Sequence, residues 1–486
     1  KPIQKTHSKK KILRMTRRAK IVATFGPAVA SYESAKALVE AGIDVARLNM
    51  SHGAHEIHQE NINNIRKAAE ETGRAVAILA DLQGPKIRLG KIPDGPYLLR
   101  EGDVFKITTA DIPGNKEISS TTYKGLIGDV KVGDFLLIDD GKVRVQVIDV
   151  SGDTVTTKVV IGGDISSNKG INLPGVAVSV PALSEKDEDD LRWALSKGVD
   201  LIALSFVRSA DDIKRAHEIM AEEGKKLPVI AKIEKPQAVD ALQEIVYAFD
   251  GIMVARGDLG VELPLEQVPI VQKEAVQLAR TQARPVIVAT QMLESMTNSP
   301  IPTRAETSDV ANAILDGADA VMLSGETSVG QYPILTVQTM AKIVSSTEDH
   351  GLSRIPPLGT KPRTQAGAIT AAAVEVAEFV EAKYLCVFTE TGESVRRITR
   401  LRSSIPILAF TPSEEIRRRM ALNWGVTSFL VGKVTHTDQM VAQVDEELYK
   451  NGLAVKGEKV VMVSGSPPGI PGTTNDIRVH VIGEVI

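Results

Sequence analysis

The chain of 486 residues has a single cysteine, Cys386, which excludes an intrachain disulfide framework and any multi-cysteine zinc site and suits a reducing cytoplasm. It has no uninterrupted apolar run near the about 18 residues that a helical membrane span requires. Aromatics make up only 4% of residues, so the cores must be built from Val, Ile, Leu and Ala, as the cores around buried parallel sheets are. Residues 1–18 contain eight lysines and arginines and no acid; set against a net charge of −3, this leaves −11 for the rest. That arm has no aromatic residue to stack on bases and no apolar stretch of a secretory signal, which argues against nucleic acid and membrane as partners. Residues 1–14 read as a leader or expression remnant ahead of Met15. Hydrophobic residues at 43% and charged residues at 24% are ordinary globular usage, and the length suits roughly three domains.

From Lys20 onward, short β-branched runs alternate with amphipathic helical stretches. Strands are expected at Lys20–Phe25, Val45–Leu48, Ala75–Ala80, Asp200–Ser205, Pro228–Ile233, Gly251–Ala255, Pro285–Ala289 and Ala320–Leu323. Helical patterns such as Tyr32–Ala41, Glu56–Glu71, Asp211–Glu223 and Gln267–Gln282 separate them. Eight such βα units predict an α/β fold built on a closed (β/α)8 barrel, with an open doubly wound sheet as the alternative. The alternation breaks between strands three and four. There, alternating runs such as Asp134–Ile138 and Lys142–Val150, separated by Asp-Gly and Gly-Asp turns, predict an inserted all-β domain over residues 88–180. Barrel sequence then occupies residues 15–87 and 181–350, resuming at Ser184, which has capping-box spacing to Asp187. Residues 351–486 read as a linker and a second α/β unit with strands at Tyr384–Thr389, Pro406–Thr411, Val426–Val431, Lys459–Ser464 and Arg478–Ile482, and helices including Ser413–Asn423.

A barrel carries its active site at the carboxyl ends of its strands. Those ends offer Thr24 and Pro27; Arg47, Asn49, Ser51 and His52; Asp81; Ser205; Lys232 and Glu234; Arg256 and Asp258; Thr290; and Ser324 and Glu326. Charges embedded in runs such as Ile230-Ala-Lys-Ile-Glu234 must be paired, metal-bound or ligand-bound. Lys232 and Glu234 are two apart on a strand and face the same way. Glu234 and Asp258, from adjacent strands, suit a hard divalent cation, while Arg47, Lys232 and Arg88 offer charge to a phosphoryl group. Amide groups in the turn Arg256-Gly257-Asp258-Leu259-Gly260 could take a carboxylate. Together these describe a phosphorylated carboxylic acid as substrate, handled by positioning and electrostatics.

Seven motifs in order resemble those of the pyruvate kinase family: Ala46-Arg-Leu-Asn-Met-Ser-His-Gly53, Asp81-Leu-Gln-Gly-Pro-Lys-Ile-Arg88, Asn168-Lys-Gly-Ile-Asn-Leu-Pro-Gly175, Val229-Ile-Ala-Lys-Ile-Glu234, Met253-Val-Ala-Arg-Gly-Asp-Leu-Gly260, Ala289-Thr-Gln-Met-Leu-Glu-Ser295 and Ser324-Gly-Glu-Thr327. The resemblance runs from about Arg17 to the C-terminus. It implies transfer of the phosphoryl group of phosphoenolpyruvate to ADP, with Lys232, Thr290 and Arg47 as catalytic residues and Gly257 and Asp258 also on substrate. It further implies Mg²⁺, or Mn²⁺ in its place, on Glu234 and Asp258, and nucleotide contacts from Thr24, Pro27, Asn49, His52, Arg88 and Lys169. The β insertion would be a lid and the assembly a homotetramer. Asn49, Ser51, Asp81 and Leu82 fall at the family's monovalent-cation site, and Lys86 stands where potassium-dependent members carry glutamate, so K⁺ is expected to be dispensable. Thr389, Thr391, Gly392 and Ser394 fall in an effector loop. Family members activated by fructose 1,6-bisphosphate tend to have a basic phosphate loop, whereas Glu390 and Glu393 here point to a sugar monophosphate or nucleotide monophosphate.

Three rivals are open on the residues alone. A class I aldolase would need a desolvated, neutral lysine, which Glu234 beside Lys232 disfavours. A metal-dependent lyase would share the acids but not the lid. A binding module without activity would not need the full set of charges. Arg417-Arg-Arg419 reads as a solvated helix face and Cys386 as a buried strand residue.

Overall fold

Eight runs of β-branched sequence close into one ring. The computed structural model describes residues 17–484, so the leader assigned to residues 1–14 lies outside the described residues. Strands Lys20–Phe25, Val45–Asn49, Ala77–Asp81, Leu201–Leu204, Val229–Ile233, Gly251–Ala255, Val286–Ala289 and Ala320–Leu323 pair in chain order, all parallel. The first strand also pairs with the last, Lys20 opposite Ala320 through Ala23 opposite Leu323, which rules out the open sheet. Residues facing inward, such as Val22, Leu79, Ile230, Met253 and Ile287, pack into one buried cluster, while the outward face packs under the helices. The helix expected over Asp211–Glu223 is instead a 3-10 turn, Ala210–Asp212, followed by an α-helix, Ile213–Glu222. The cause is Asp212, whose carboxylate takes the Arg208 and Ser209 amides and holds the first turn tight.

A repeated device closes the amino-terminal floor of the barrel. Asp44, Asp200, Asp250 and Asp319 each stand just before a strand, and each carboxylate accepts a backbone N–H from the neighbouring strand: Ile21 at 2.9 Å, Ile78 at 2.8 Å, Val229 at 3.0 Å and Val286 at 3.1 Å. Three of these acids follow a glycine, Gly42, Gly198 or Gly317, that ends the preceding helix with φ of 117°, 72° or 96°. A left-handed helix cap of this kind favours glycine, which explains the Gly-x-Asp pattern.

The inserted residues form a six-stranded sheet and a two-stranded ribbon around their own core, which includes Phe105, Leu136, Val145 and Val155. Beyond the barrel, a five-stranded sheet holds Val426–Leu430, Ile407–Thr411, Tyr384–Phe388, Lys459–Gly465 and Thr474–Val481 in that spatial order, the last antiparallel. That edge strand starts four residues before the expected Arg478, because Thr474 to Asp476 pair with Ser464 and Gly465 despite their polarity. The helix expected to Asn423 ends at Arg419 and continues as a 3-10 turn. Cys386 is fully buried in its strand, as expected, and burial raises its thiol pKa.

This third unit plugs the barrel floor and so corrects the reading of Arg417-Arg-Arg419 as a solvated face. Arg418 bonds Asp200 at 2.9 Å and Arg417 donates to the Gly73 carbonyl at 2.9 Å. Arg402 pairs with Asp319 at 3.0 Å and stacks on the buried Trp424. The floor is occupied, leaving the opposite end open for chemistry.

Candidate active site

At the open end, consecutive strands deliver charges to one point. Thr24 is the penultimate residue of the first strand; its buried hydroxyl donates to the Leu323 carbonyl at 2.8 Å and accepts from Arg47 at 3.0 Å. Arg47, on the second strand, grips Asp81 on the third through both Nε and a terminal nitrogen at 2.7 Å. Lys232, on the fifth strand, reaches the Ser205 hydroxyl at 2.8 Å, Glu234 Oε1 at 2.9 Å and Asp81 Oδ1 at 3.4 Å. Asp81 and Glu234 are each 1% exposed and Arg47 and Lys232 9%, so two cations and two anions share a nearly dry site.

The environment sets the protonation states. Burial works against the Lys232 ammonium, but Asp81 and Glu234 outweigh it and raise its pKa, so it stays charged. Burial pushes Asp81 up, yet Lys232 and Arg47 prevail and hold it below its ordinary value. Glu234 is raised: burial dominates and Asp258 adds to it, against the pull of Lys232.

Glu234 Oε1 lies close to Lys232 in charge but makes no hydrogen bond, while Oε2 accepts the Phe206 amide at 2.7 Å. A buried carboxylate oxygen with a free lone pair, in the field of a second acid from the first turn of helix Arg256–Glu262, fits a hard divalent cation. An ion needs the carboxylate form of Glu234, so with that pKa raised a proton competes with it and its affinity should fall as pH drops.

Thr290 adopts φ of 70° and Gln291 55°, a left-handed turn that returns the Thr290 hydroxyl onto the site. That hydroxyl donates to the Ala289 carbonyl and accepts the Gly257 amide, both at 2.7 Å. Gly257 N–H is therefore committed to Thr290, which qualifies the expectation that the amides of this turn are all free. Arg256 faces outward to Asp309 at 2.7 Å and clamps the Thr290 carbonyl at 2.7 Å.

The residues expected around a nucleotide spread along the rim. Pro27 and His52 are exposed, Asn49 Oδ1 takes the Ser51 amide at 3.1 Å, and Thr24 lies beneath Arg47. In the lid, Arg88 donates to the Asn168 carbonyl at 3.0 Å and Lys169 bonds Asp139 at 3.0 Å. At the cation-site candidates, the Asp81 carbonyl takes the Met50 amide at 2.9 Å and the Leu82 carbonyl takes the Ser205 hydroxyl at 2.7 Å. Lys86 lies against the lid, its ammonium 3.7 Å from where a Cβ on Gly170 would stand, and pairs with no carboxylate among the described residues. Ser205 and Phe206 were given no role from sequence. Both are neutral; Ser205 stood only among the groups at the strand ends, and Phe206 was not singled out.

In the C-terminal unit, Thr389 caps the Gly392 amide at 2.8 Å, and Ser394 meets the Thr474 hydroxyl at 2.5 Å beside a cavity of about 300 Å³. Arg397 enters that cavity and pairs with Glu393 at 2.5 Å, so one of the two acids expected to repel phosphate is neutralised.

Comparison with known proteins agrees along the chain. Family models match residues 16–337 as the pyruvate kinase barrel domain and residues 367–480 as the pyruvate kinase alpha/beta domain. The chain is 56% identical over 470 residues to a pyruvate kinase of Corynebacterium glutamicum, covering 97% of this chain and 98% of that one. It is 54% identical to one of Mycobacterium tuberculosis, covering 97% and 99%. A crystal structure of a pyruvate kinase from Cryptosporidium parvum superposes with a TM-score of 0.90 at 36% identity, over 96% of each chain.

Proposed function

The chain belongs to the pyruvate kinase family and transfers the phosphoryl group of phosphoenolpyruvate to ADP in glycolysis, and on that premise we propose how its own residues divide the work. The buried square of Arg47, Asp81, Lys232 and Glu234 carries the reading. Arg47 and Lys232 hold the phosphoryl oxygens. As the enol oxygen–phosphorus bond breaks and the ADP β-phosphate oxygen takes the phosphorus, Lys232 balances the enolate left behind. Thr290 Oγ1 stands on the side where the enolate methylene takes its proton to give pyruvate. The backbone amides of the Gly257–Asp258 turn that Thr290 leaves free meet the substrate carboxylate. Glu234 and Asp258 hold the divalent cation of the family, Mg²⁺ or Mn²⁺, which when bound neutralises charge on the transferring group. Pro27, Asn49, His52, Arg88 and Lys169 line the nucleotide side, with Thr24 supporting Arg47 from below. Closure of the lid brings Arg88 and Lys169 in and excludes water from the phosphoryl group. Release of pyruvate that depends on ADP, measured in a coupled assay, tests the whole scheme; release without ADP would favour a lyase.

K⁺ is redundant in this chain. Asn49, Ser51, Asp81 and Leu82 retain the oxygens of a weak site, but several already accept hydrogen bonds, and the unpaired ammonium of Lys86 supplies positive charge at the junction of lid and barrel. Wild-type activity should be near full in K⁺-free buffer with a tetraalkylammonium counterion and Mg²⁺, and Lys86→Glu should acquire K⁺ dependence. Many-fold activation of the wild type by K⁺ at constant ionic strength would refute this.

Thr389, Thr391, Gly392 and Ser394 receive a phosphate monoester, sugar or nucleotide, with Arg397 as the cation and Glu390 limiting the site to one phosphate. Saturation series should show activation by a monophosphate; strong activation by fructose 1,6-bisphosphate would sink the assignment. Homotetramer formation is supported by the exposed Leu265, Ile270 and Ile301 on the barrel flank and by Phe379, 85% exposed, on the C-terminal unit. No helix among the described residues is long and apolar enough to cross a membrane, and the proposed location is the cytoplasm.

A further inference from the structure

We propose that Arg208 is a positioning residue that couples the hinge of the lid to the carboxylate of Glu234, an inference resting on the reading of Glu234 as a metal ligand. The segment from Ser205 to Arg208 leaves the fourth barrel strand, and three of its four residues make six contacts. Ser205 Oγ accepts the Lys232 ammonium at 2.8 Å and donates to the Leu82 carbonyl at 2.7 Å, where the chain sets out toward the lid. Phe206, with φ of 56°, turns its amide onto Glu234 Oε2 at 2.7 Å. A left-handed backbone is uncommon for an aromatic residue and marks a position held by its surroundings. The Phe206 ring packs on Gly84 in the outgoing connection so closely that a Cβ there would lie 2.8 Å from the ring. Arg208 then donates one terminal nitrogen to the Val178 carbonyl and the other to the Val180 carbonyl, both at 2.7 Å, in the connection that returns from the lid.

Outgoing and returning connections of the lid are thus both bound to one short segment, and that segment supplies the only hydrogen bond to Glu234 Oε2 among the described residues. Asp212 fixes the far side by accepting the Arg208 amide at 2.7 Å, so a shift of Val178 and Val180 cannot be absorbed beyond Arg208 and is passed back to Phe206. The two carbonyls are matched by the planar fork of a guanidinium; a lysine can satisfy one of them. Since coupling between two sites is reciprocal, a cation on Glu234 must restrain the hinge as strongly as the hinge favours the cation.

The test compares wild type, Arg208→Lys, Arg208→Gln and Glu234→Gln. Free Mn²⁺ is measured by electron paramagnetic resonance, and hydrogen exchange is followed over residues 174–182 with and without Mn²⁺. Thermal melting verifies that each variant is folded. In the wild type Mn²⁺ should slow exchange in this segment. Arg208→Gln should weaken Mn²⁺ binding by about 5- to 20-fold and remove the effect of Mn²⁺ on exchange, with Arg208→Lys between the two. Arg208 as mere packing would free the hinge and leave the Mn²⁺ affinity unchanged, and that result would overturn the coupling. Unchanged Mn²⁺ binding in Glu234→Gln would overturn the metal-ligand reading itself, whereas loss of binding there with a normal Arg208→Gln removes only the coupling.

Discussion

Lys232→Met should lower phosphoryl transfer by about two to four powers of ten, the order expected when one preorganised charge is deleted from a dry site. Methionine keeps an unbranched chain of similar length, so the packing of the fifth strand is spared. The loss falls on turnover because the ammonium is needed most when charge develops on the enolate oxygen. Folding should survive: Asp81 retains Arg47, and Glu234, whose pKa is already raised by burial, can take a proton once its cation is gone. The wild-type site holds its charge over a wide range, because the folded Lys232 pKa is raised. Its contribution to stability is complete below the unfolded value, about 10.4, and is lost only as pH rises through the higher folded value. Steady-state kinetics beside a thermal melt would check both halves, and a purified variant with wild-type turnover would remove Lys232 from the mechanism.

Asp81→Asn should cost stability, on the order of 3–5 kcal/mol, because it takes the carboxylate from the buried Arg47 and leaves Glu234 alone to offset two cations that then repel each other. Asp81 is 1% exposed and is the carboxylate that both Arg47 and Lys232 share. Urea unfolding at pH 7 should show the loss. In a Lys232→Met background the same substitution should cost less, since the repulsion between Arg47 and Lys232 is absent; an equal cost in both backgrounds would mean that the square is not an energetic unit. The pH dependence follows from the depressed folded pKa. The stability that Asp81 supplies is present above its unfolded value, about 3.9, and is lost as pH falls through the lower folded value, so the wild-type and variant curves should converge in acid.

What the amino-acid sequence determined by itself is what depends on local period and on residue type at fixed spacing. Ten residues from Tyr32 to Ala41 carry a helical period with Ser31 as cap and Gly42 as stop, and the helix has those bounds. Ser184 and Asp187 form the capping box their spacing predicts. The two-residue interval in Lys232-Ile-Glu234 put both charges on one side of a strand, and they meet at 2.9 Å. Eight βα units, interrupted once by the β insertion, favoured a barrel over an open sheet, although only the pairing of Lys20–Ala23 with Ala320–Leu323 closed it. Such ring closure joins residues 300 positions apart, and no local pattern encodes it.

Tertiary structure alone decided the partners of neutral or generic groups. Three consecutive arginines at 417–419 look like a solvated face in any helix; only the docking of the C-terminal unit brings Arg418 to Asp200 and Arg417 to the Gly73 carbonyl. Ser205 and Phe206 bear no charge to draw attention, yet a hydroxyl and a backbone amide there set the positions of Lys232 and Glu234. The free amide expected at Gly257 is taken by Thr290, which follows the next strand. A side chain's chemistry is written in its identity, but whether it is satisfied depends on which donors and acceptors the fold brings within about 3 Å, and that is a property of packing between distant segments.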